Sequence, residues 1–423
     1  MFDCSNVIRI IIQKSLLIIL IIAMSSSWDQ EEEQATAKLQ EVFSKDKRFT
    51  YRGFISSGSH GNTHRIRFID PTTGNTSEFL IKVSFNDIEA QQQLIYEKET
   101  LARLRGGLHV VRAVNLDTIP QEPLGQYNFP YEWVALEWLP NGTVDTFIKK
   151  ANLHGVRRLP NRLLWKLLLC LIRACCALAW PRGRRNDVLE TELPINGVPA
   201  GPLSHEDMHL NNAIFGDFDI GNEHGISPVL KLIDFGLTME EDEIEDARLE
   251  ERKGSQPPNQ TQDSSQNPHD PNHTPVQYRG IIKNLRGVAE IMFHLVSVDP
   301  LLEPIEYHKV TASSDSLSSE EFKPRVVSFQ CLGKTINTMA IRLFPKAPGM
   351  PLPYPELDQS MREILAMCLA SSDNLWNVPT LQDLSQWVQT AAFERKADFY
   401  KDPNEDDDSI RALCMKILHD APP

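Results

Sequence analysis

Short apolar stretches that alternate with polar residues mark the first third of this chain. Four of them predict β-strands, namely Tyr51–Ile55, Thr63–Ile69, Phe79–Val83 and the start of Trp133–Leu139. Turns that contain glycine separate the first three strands. A helical stretch centred on Glu97 follows them. We therefore predict a small antiparallel β-sheet unit with one helix over residues 49–137.

Beyond the fourth strand, the spacing of apolar positions becomes helical. The segments with this spacing are Leu163–Trp180, 281–300 and 356–390. We predict a larger, mainly helical unit over residues 138–395. Two polar inserts are expected to interrupt it, at 181–203 and 240–279, and the second is too polar to gain much from burial.

The two ends of the chain differ from these units. Residues 1–48 combine an apolar segment with a polar lead-in, and residues 396–423 are expected to form an acidic C-terminal tail. The uninterrupted apolar core Leu16–Met24 is short for a membrane-spanning helix, which needs about 20 residues, but it suits a signal peptide. We favour Met24 as the true start over a functional anchor, and keep a secreted or membrane-anchored form as the alternative.

Composition narrows the range of functions. The 423 residues carry a net charge of −14, which argues against nucleic-acid binding as the main activity. Seven cysteines, with Cys175 and Cys176 adjacent in an apolar helix, do not suggest a disulfide framework. We expect core thiols in a reducing compartment, cytoplasmic or nuclear, and no membrane partner. The oligomeric state stays open.

The stretch His205–Asn212 and the later Asp234-Phe235-Gly236 carry the clearest chemistry. They supply a carboxylate that can orient a hydroxyl nucleophile, Asp207, and two oxygen donors for magnesium, Asn212 and Asp234. Magnesium prefers oxygen ligands and keeps waters, so an amide, a carboxylate and phosphate oxygens suffice. This spacing predicts phosphoryl transfer.

A second group of residues near the N-terminus fits the same chemistry. Gly58 and Gly61 lie in the turn between the first two strands, where glycine lets backbone amides approach a phosphate closely. Lys82 lies on the third strand and can reach phosphates as a point charge. Glu97, fifteen residues later on the predicted helix, offers the carboxylate that would hold this lysine.

Together these residues resemble the eukaryotic protein-kinase family over about residues 50–390, and most of all its divergent fungal protein-kinase-like members. The resemblance implies an α+β, bilobal protein-kinase-like fold, with a small antiparallel β-sheet N-lobe that has one helix and a larger, mainly helical C-lobe. It also implies ATP and Mg2+ as ligands and a protein substrate. The expected activity is transfer of the γ-phosphoryl group to Ser or Thr.

The resemblance assigns a role to each of these residues. Lys82 would bind the ATP phosphates with Glu97 as its partner, Asp207 would be the catalytic base, and Asn212 and Asp234 would hold the metal. Gly58 and Gly61 would close over the phosphates. Leu136 would be the gatekeeper, with the backbone of Glu137 and Leu139 facing adenine.

Departures from the family pattern keep other functions open. Ser56 replaces the first glycine of the loop, and Thr63 stands where a valine usually covers adenine. His209 stands two residues after the base, where Ser/Thr kinases usually have lysine, and an Asp-x-His-x-x-Asn order is common in small-molecule kinases. A small-molecule kinase is therefore one alternative.

The family's buried Glu–Arg ion pair is also missing. No Ala-Pro-Glu-like triplet follows Asp234-Phe235-Gly236, and Asn377 precedes the region of Pro379 where an arginine is usual. Joint loss of two paired charges can be neutral, whereas loss of one costs about 3–5 kcal/mol. Asn284 stands where an aspartate usually braces the catalytic loop. These changes favour a second alternative, a pseudokinase that acts as a scaffold or binding module.

Overall fold

A computed structural model describes residues 33–58, 60–183, 188–218, 223–240, 276–310, 321–371 and 379–420. The chain is of mixed α and β type. It divides into two compact units, Met1–Glu99 with Arg112–Trp138 and Thr100–Val111 with Leu139–Pro423. The predictions about the N-terminal apolar segment and Met24, most of the insert at 240–279, and Asn377 fall outside the described residues.

A four-stranded antiparallel sheet forms the first unit, in the order β1-β2-β3-β4. Its strands are β1 (Phe49–Gly58), β2 (Gly61–Ile69), β3 (Thr76–Ser84) and β4 (Trp133–Glu137). The helical parts are α1 (33–44), the start of α2 (Ile88–Arg103), the 3-10 turn Leu116–Thr118 and α3 (Pro123–Gln126). Each predicted strand lies within an observed one.

Alternation along the strands places the core of this unit on one face of the sheet. Phe79, Ile81 and Val83 are buried at every second position of β3, which is the period of a strand. They pack in one cluster with Leu39 and Phe43 of α1. Helix α1 therefore covers the apolar face of the sheet, which agrees with the apolar stripe expected of a helix that packs on a core.

The second unit is mainly helical. Its helices are α4 (Val144–Leu153), α5 (Asn161–Ala179), α6 (Val276–Ser297), α7 (Gln359–Cys368), α8 (Leu381–Glu394), α9 (Ala397–Tyr400) and α10 (Asp407–Met415). Short antiparallel strand pairs join them: β5 (Leu203–Ser204) with β8 (Met239–Glu240), β6 (Ala213–Phe215) with β7 (Leu230–Leu232), β9 (Tyr307–Val310) with β10 (Glu321–Pro324), and β11 (Val327–Cys331) with β12 (Lys334–Thr338). The 3-10 turns Ile341–Leu343 and Pro403–Glu405 and the π-helical turn Lys416–Asp420 complete it.

Helix α5 is the centre of this unit. Every residue of α5 except Arg162 is buried, so the helix packs against neighbours on all sides. The sequence predicted a buried helix here, and the structure has one. Residues 100–111, which we predicted within the sheet unit, cluster with the helical unit, because Val111 N–H donates to Leu232 O at 2.9 Å and Leu232 N–H donates to His109 O at 2.9 Å.

The C-terminal residues 396–420 pack as part of the helical unit, whereas we expected a separate acidic tail. Ile410 and Ile417 are fully buried in the main core cluster. Glu405, 2% exposed, accepts hydrogen bonds from the backbone N–H groups of Asn161 and Arg162 at 2.6 and 2.9 Å. Its carboxylate therefore caps the N-terminus of α5, where Pro160 has no capping side chain.

Two smaller predictions concern cysteines and membranes. Six cysteines lie within the described residues, and all six are buried thiols without a disulfide. None of the helices in the described ranges is both long enough and apolar enough to cross a bilayer.

Candidate active site

The lysine of β3 and the glutamate of α2 form an ion pair in the first unit. Lys82 Nζ lies 2.7 Å from Glu97 Oε2, and the two side chains are 18% and 1% exposed. Lys82 lies between Ile81 and Val83 on the strand, so its side chain leaves the opposite face from the apolar core. A buried carboxylate needs such a partner, because an unpaired charge costs several kcal/mol to desolvate. The pair fixes the position of the ammonium group.

The two glycines of the β1–β2 hairpin have different surroundings. Gly58 and Gly61 are partners across the turn. A Cβ at Gly61 would lie 2.1 Å from Val83 O, whereas the nearest atom to a Cβ at Gly58 is 3.8 Å away. Sheet packing therefore requires glycine at position 61. It does not require glycine at position 58, which leaves close approach of a ligand as the role to test there.

The expected gatekeeper, Leu136, and the two residues whose backbone is expected to face adenine, Glu137 and Leu139, lie at and just after the end of β4. Leu136 is buried opposite Leu80. The backbone N–H of Glu137 donates to Arg112 O at 3.0 Å, and its carboxylate accepts from Arg112 N–H at 2.9 Å. Leu139 is half-buried and belongs to the second unit. The contact with adenine expected of these residues stays a prediction.

In the second unit, Asp207 and Asn212 are in direct contact. The Asn212 amide nitrogen donates to the backbone carbonyl of Asp207 at 2.9 Å and to its carboxylate at 2.8 Å. Because that nitrogen is committed to Asp207, the amide oxygen of Asn212 is the atom left to offer a cation. The Asp207 side chain is 39% exposed, so a hydroxyl substrate can reach it.

The chain also brings Asp234 next to this pair. Ile233 N–H donates to Asn212 O at 2.9 Å, which continues the β6–β7 ladder one step beyond the strands. Asp234 follows immediately and has a φ of +63°, in the left-handed region that non-glycine residues rarely adopt. Such strain persists where the surroundings impose it and is concentrated at functional sites. Asn212 is therefore paired with the residue before Asp234, and a magnesium role for these two side chains stays a prediction.

His205 connects the two segments. Burial lowers its pKa, so the imidazole is neutral. Its Nε2 lies 2.9 Å from Ile233 O, and its Nδ1 lies 3.3 Å from the Asp207 backbone nitrogen. The neutral ring therefore donates from Nε2 and accepts at Nδ1. This arrangement ties the backbone of Asp207 to the residue before Asp234.

Asn284 of α6 braces the same loop without a charge. Its Oδ1 accepts from His205 N–H at 2.9 Å, and its Nδ2 donates to Leu203 O at 2.9 Å, with the residue 2% exposed. A carboxylate could accept the first bond but could not donate the second. The asparagine therefore satisfies both backbone groups that it faces.

Sequence reasoning missed a second residue of α6 that holds this loop. Lys283 Nζ lies 2.8 Å from the carboxylate of Glu206, the residue before Asp207. Glu206 has a φ of +63°, so its backbone is also in the left-handed region. No sequence pattern indicates that a lysine on a helix will pair with a distant loop residue of strained backbone. The pair appears only when α6 is packed beside the loop.

His209 lies beside the candidate base. Its Nε2 is 3.5 Å from the nearer carboxylate oxygen of Asp207, and both side chains are partly exposed. Its Nδ1 accepts from the backbone N–H of Asn211 at 3.2 Å, which fixes the ring. The His209 imidazole therefore lies directly beside the Asp207 carboxylate.

Similarity to known proteins is weak. No protein-family model matches the chain, and no curated protein matches it. The crystal structure of the BubR1 kinase domain is similar at 14% sequence identity, covers 88% of this chain and 84% of that one, and has a TM-score of 0.44. At so low a similarity, the likeness to this structure supports no conclusion about the function of this chain. The narrower resemblance to fungal kinase-like proteins stays a prediction.

Proposed function

We propose that this chain is a protein-kinase-like phosphotransferase that moves the γ-phosphoryl group of ATP to a hydroxyl, in a protein Ser or Thr. Two hydrogen bonds carry the proposal. Asn212 donates to the Asp207 carboxylate at 2.8 Å, and its backbone carbonyl accepts at 2.9 Å from the N–H of Ile233, the residue before Asp234. The Lys82–Glu97 pair of the first unit supports the proposal.

Each side chain has a task in this mechanism. Asp207 orients the substrate hydroxyl and accepts its proton, and Asn212 keeps the Asp207 carboxylate in place through its amide nitrogen. The Asn212 oxygen and Asp234 would hold Mg2+, which neutralises charge on the phosphates when bound. Lys82 contributes a further positive charge, and Glu97 keeps it from turning away.

The test is single-turnover phosphate transfer by the full chain and by Asp207→Asn. Loss of a positioned base lowers such a rate by about 10²–10⁴-fold. Asp217→Asn is the matched control, because Asp217 is an exposed aspartate in the loop after β6. Its rate should match that of the unaltered chain. An Asp207→Asn rate equal to that of the control would contradict a catalytic role for Asp207.

Nucleotide binding is tested separately, by thermal shift with ATP in the presence and absence of Mg2+. A magnesium-dependent shift that Asp234→Asn abolishes supports the metal site. Binding without any transfer would instead support the pseudokinase alternative, in which the chain is a scaffold or binding module.

His209 favours one further candidate, a small-molecule kinase, because its imidazole lies 3.5 Å from the Asp207 carboxylate. A ring so close to the base narrows the space for a peptide chain and suits a compact alcohol. A peptide array screened beside a panel of small alcohols separates the two substrate classes. His209→Lys should lower transfer to a small alcohol if the ring helps to bind it.

A further inference from the structure

Three side chains with metal-binding atoms meet inside the second unit, in a cluster that does not include Asp207 or Asp234. They are His109, Cys170 and His224, and all three are buried, at 0–1% exposure. Their nitrogen and sulfur atoms all lie within 4.8 Å of one another. Neither the sequence motifs nor the phosphoryl-transfer mechanism uses them.

The distances within this cluster are close to those around a bound metal. His109 Nε2 lies 3.1 Å from His224 Nε2, and Cys170 Sγ lies 4.0 Å from His224 Nδ1. Tetrahedral zinc, with bonds of about 2.0–2.1 Å to nitrogen and about 2.3 Å to sulfur, separates its ligand atoms by roughly 3.4–3.7 Å. His224 can offer only one of its two ring nitrogens to an ion. One nitrogen of each histidine and the Cys170 sulfur all lie within 4.8 Å of one another, so shifts of roughly 1 Å would bring them to these separations.

Glu192 orients the first of these ligands. Its Oε2 lies 2.6 Å from His109 Nδ1, and its Oε1 accepts the backbone N–H of His109 at 2.7 Å. A carboxylate on one ring nitrogen keeps the proton there and turns the lone pair of the other nitrogen inward, as is usual for metal-bound histidine. A Cβ at Gly107 would lie 2.7 Å from Glu192 Oε1, so the glycine permits this close approach.

The acidic groups of the cluster also suit a cation. Cys170 and Glu192 are both buried, and the thiolate is the form of cysteine that binds metals. A bound divalent ion would neutralise the charges of the thiolate and the carboxylate.

We propose that His109, Cys170 and His224 form a structural zinc site, with Glu192 as the residue that orients His109. Two imidazoles and a thiolate are nitrogen and sulfur ligands that zinc prefers, and they supply three of its four tetrahedral positions, so a water would take the fourth. The ligands come from three separate segments, residues 100–111, helix α5 and the loop before β7, so the ion joins them. Because the site is buried, its role is to stabilise this part of the unit and not to act on a substrate.

The first experiment measures zinc in the full chain purified without a histidine tag or chelator. One equivalent of zinc per chain is expected. Removal of the metal with a chelator should lower the melting temperature by about 5 °C, and one equivalent of added zinc should restore it. A chain that holds no zinc after purification and takes up none on addition would overturn the proposal and leave only a hydrogen-bonded cluster.

The second experiment replaces zinc with Co2+ and records the thiolate-to-cobalt charge-transfer band. Cys170→Ser should lose this band and the bound equivalent. Cys175→Ser is the matched control, a buried cysteine on the same helix and outside the cluster, and it should keep both. Zinc retained in full by Cys170→Ser, or lost equally by Cys175→Ser, would contradict the assigned ligand.

Glu192→Gln tests the orienting residue. Loss of such a carboxylate weakens metal affinity by about 10–100-fold. The charge-transfer band at saturating Co2+ should be unchanged, because the ligands are the same. A variant with unaltered affinity would show that Glu192 does not orient His109.

Discussion

Variants of the buried Lys82–Glu97 ion pair can separate its effect on stability from its effect on phosphate transfer. The two charges are 2.7 Å apart, and Glu97 is 1% exposed. At that distance Coulomb attraction is about 6 kcal/mol for an effective dielectric constant of about 20. Desolvation offsets much of it, so the net value of the pair is small. Removal of one partner, however, leaves a buried charge behind and costs about 3–5 kcal/mol.

We therefore expect Lys82→Met and Glu97→Gln each to lower the free energy of unfolding by about 3 kcal/mol. The double variant should be destabilised by clearly less than the sum, because it leaves neither charge behind. Phosphate transfer should be lost in all three. Stability is measured by urea unfolding followed by circular dichroism, and transfer by the single-turnover assay.

Lys98 and Glu132 provide the matched control in the same unit. Their charges are 3.2 Å apart, but the side chains are 44% and 40% exposed. Such a surface pair contributes about 0–1 kcal/mol, and its removal should not change transfer. If the double variant loses as much stability as the two single variants together, the two side chains do not act as a buried ion pair. A double variant that transfers phosphate at the normal rate would refute a role for Lys82.

Three further predictions test other parts of the structure. Gly61→Ala should cost about 1–3 kcal/mol of stability, because its Cβ would lie 2.1 Å from a backbone oxygen, whereas Gly58→Ala should keep the stability and weaken ATP binding measured by titration. Glu405→Ala should destabilise the helical unit by about 2–3 kcal/mol, measured by urea unfolding, because one buried and one partly buried N–H group lose their acceptor; a change below about 0.5 kcal/mol would contradict its capping role. Burial lowers the pKa of His64 from 6.5 to about 4, so the unfolded chain binds the extra proton, and stability should be full above pH 6.5 and fall by up to about 3 kcal/mol toward pH 4. In His64→Gln, the free energy of unfolding should depend less on pH across that range. A pH dependence equal to that of the unaltered chain would refute this.

The secondary structure could be predicted wherever a pattern extends over a few neighbouring residues. The β-strands around Ile66 and Ile81 follow from alternation over a few residues, and helix α5 follows from one long apolar stretch. The candidate site residues could be named in advance because their spacing is also local: Asn212 is five residues after Asp207, and Lys82 lies on a strand just before a helix.

Contacts between distant segments could not be predicted in this way. Residues 396–423 were expected to form a solvated acidic tail, yet Glu405 caps a helix that begins 244 residues earlier. Residues 100–111 looked like the end of the sheet unit, but backbone hydrogen bonds to Leu232 assign them to the helical unit. In both places a polar group is paired by a partner that no local pattern identifies.

The amino-acid sequence by itself determined which segments are strands or helices, and it identified the candidate residues for the proposed phosphoryl transfer. Tertiary structure alone decided which charged and polar groups become buried together. It paired Lys82 with Glu97, placed Asn284 and Lys283 beside the loop that contains Asp207, and brought His109, Cys170 and His224 within 4.8 Å of one another. The physical reason is that burial requires every polar group to find a partner, and that partner can come from any segment packed nearby.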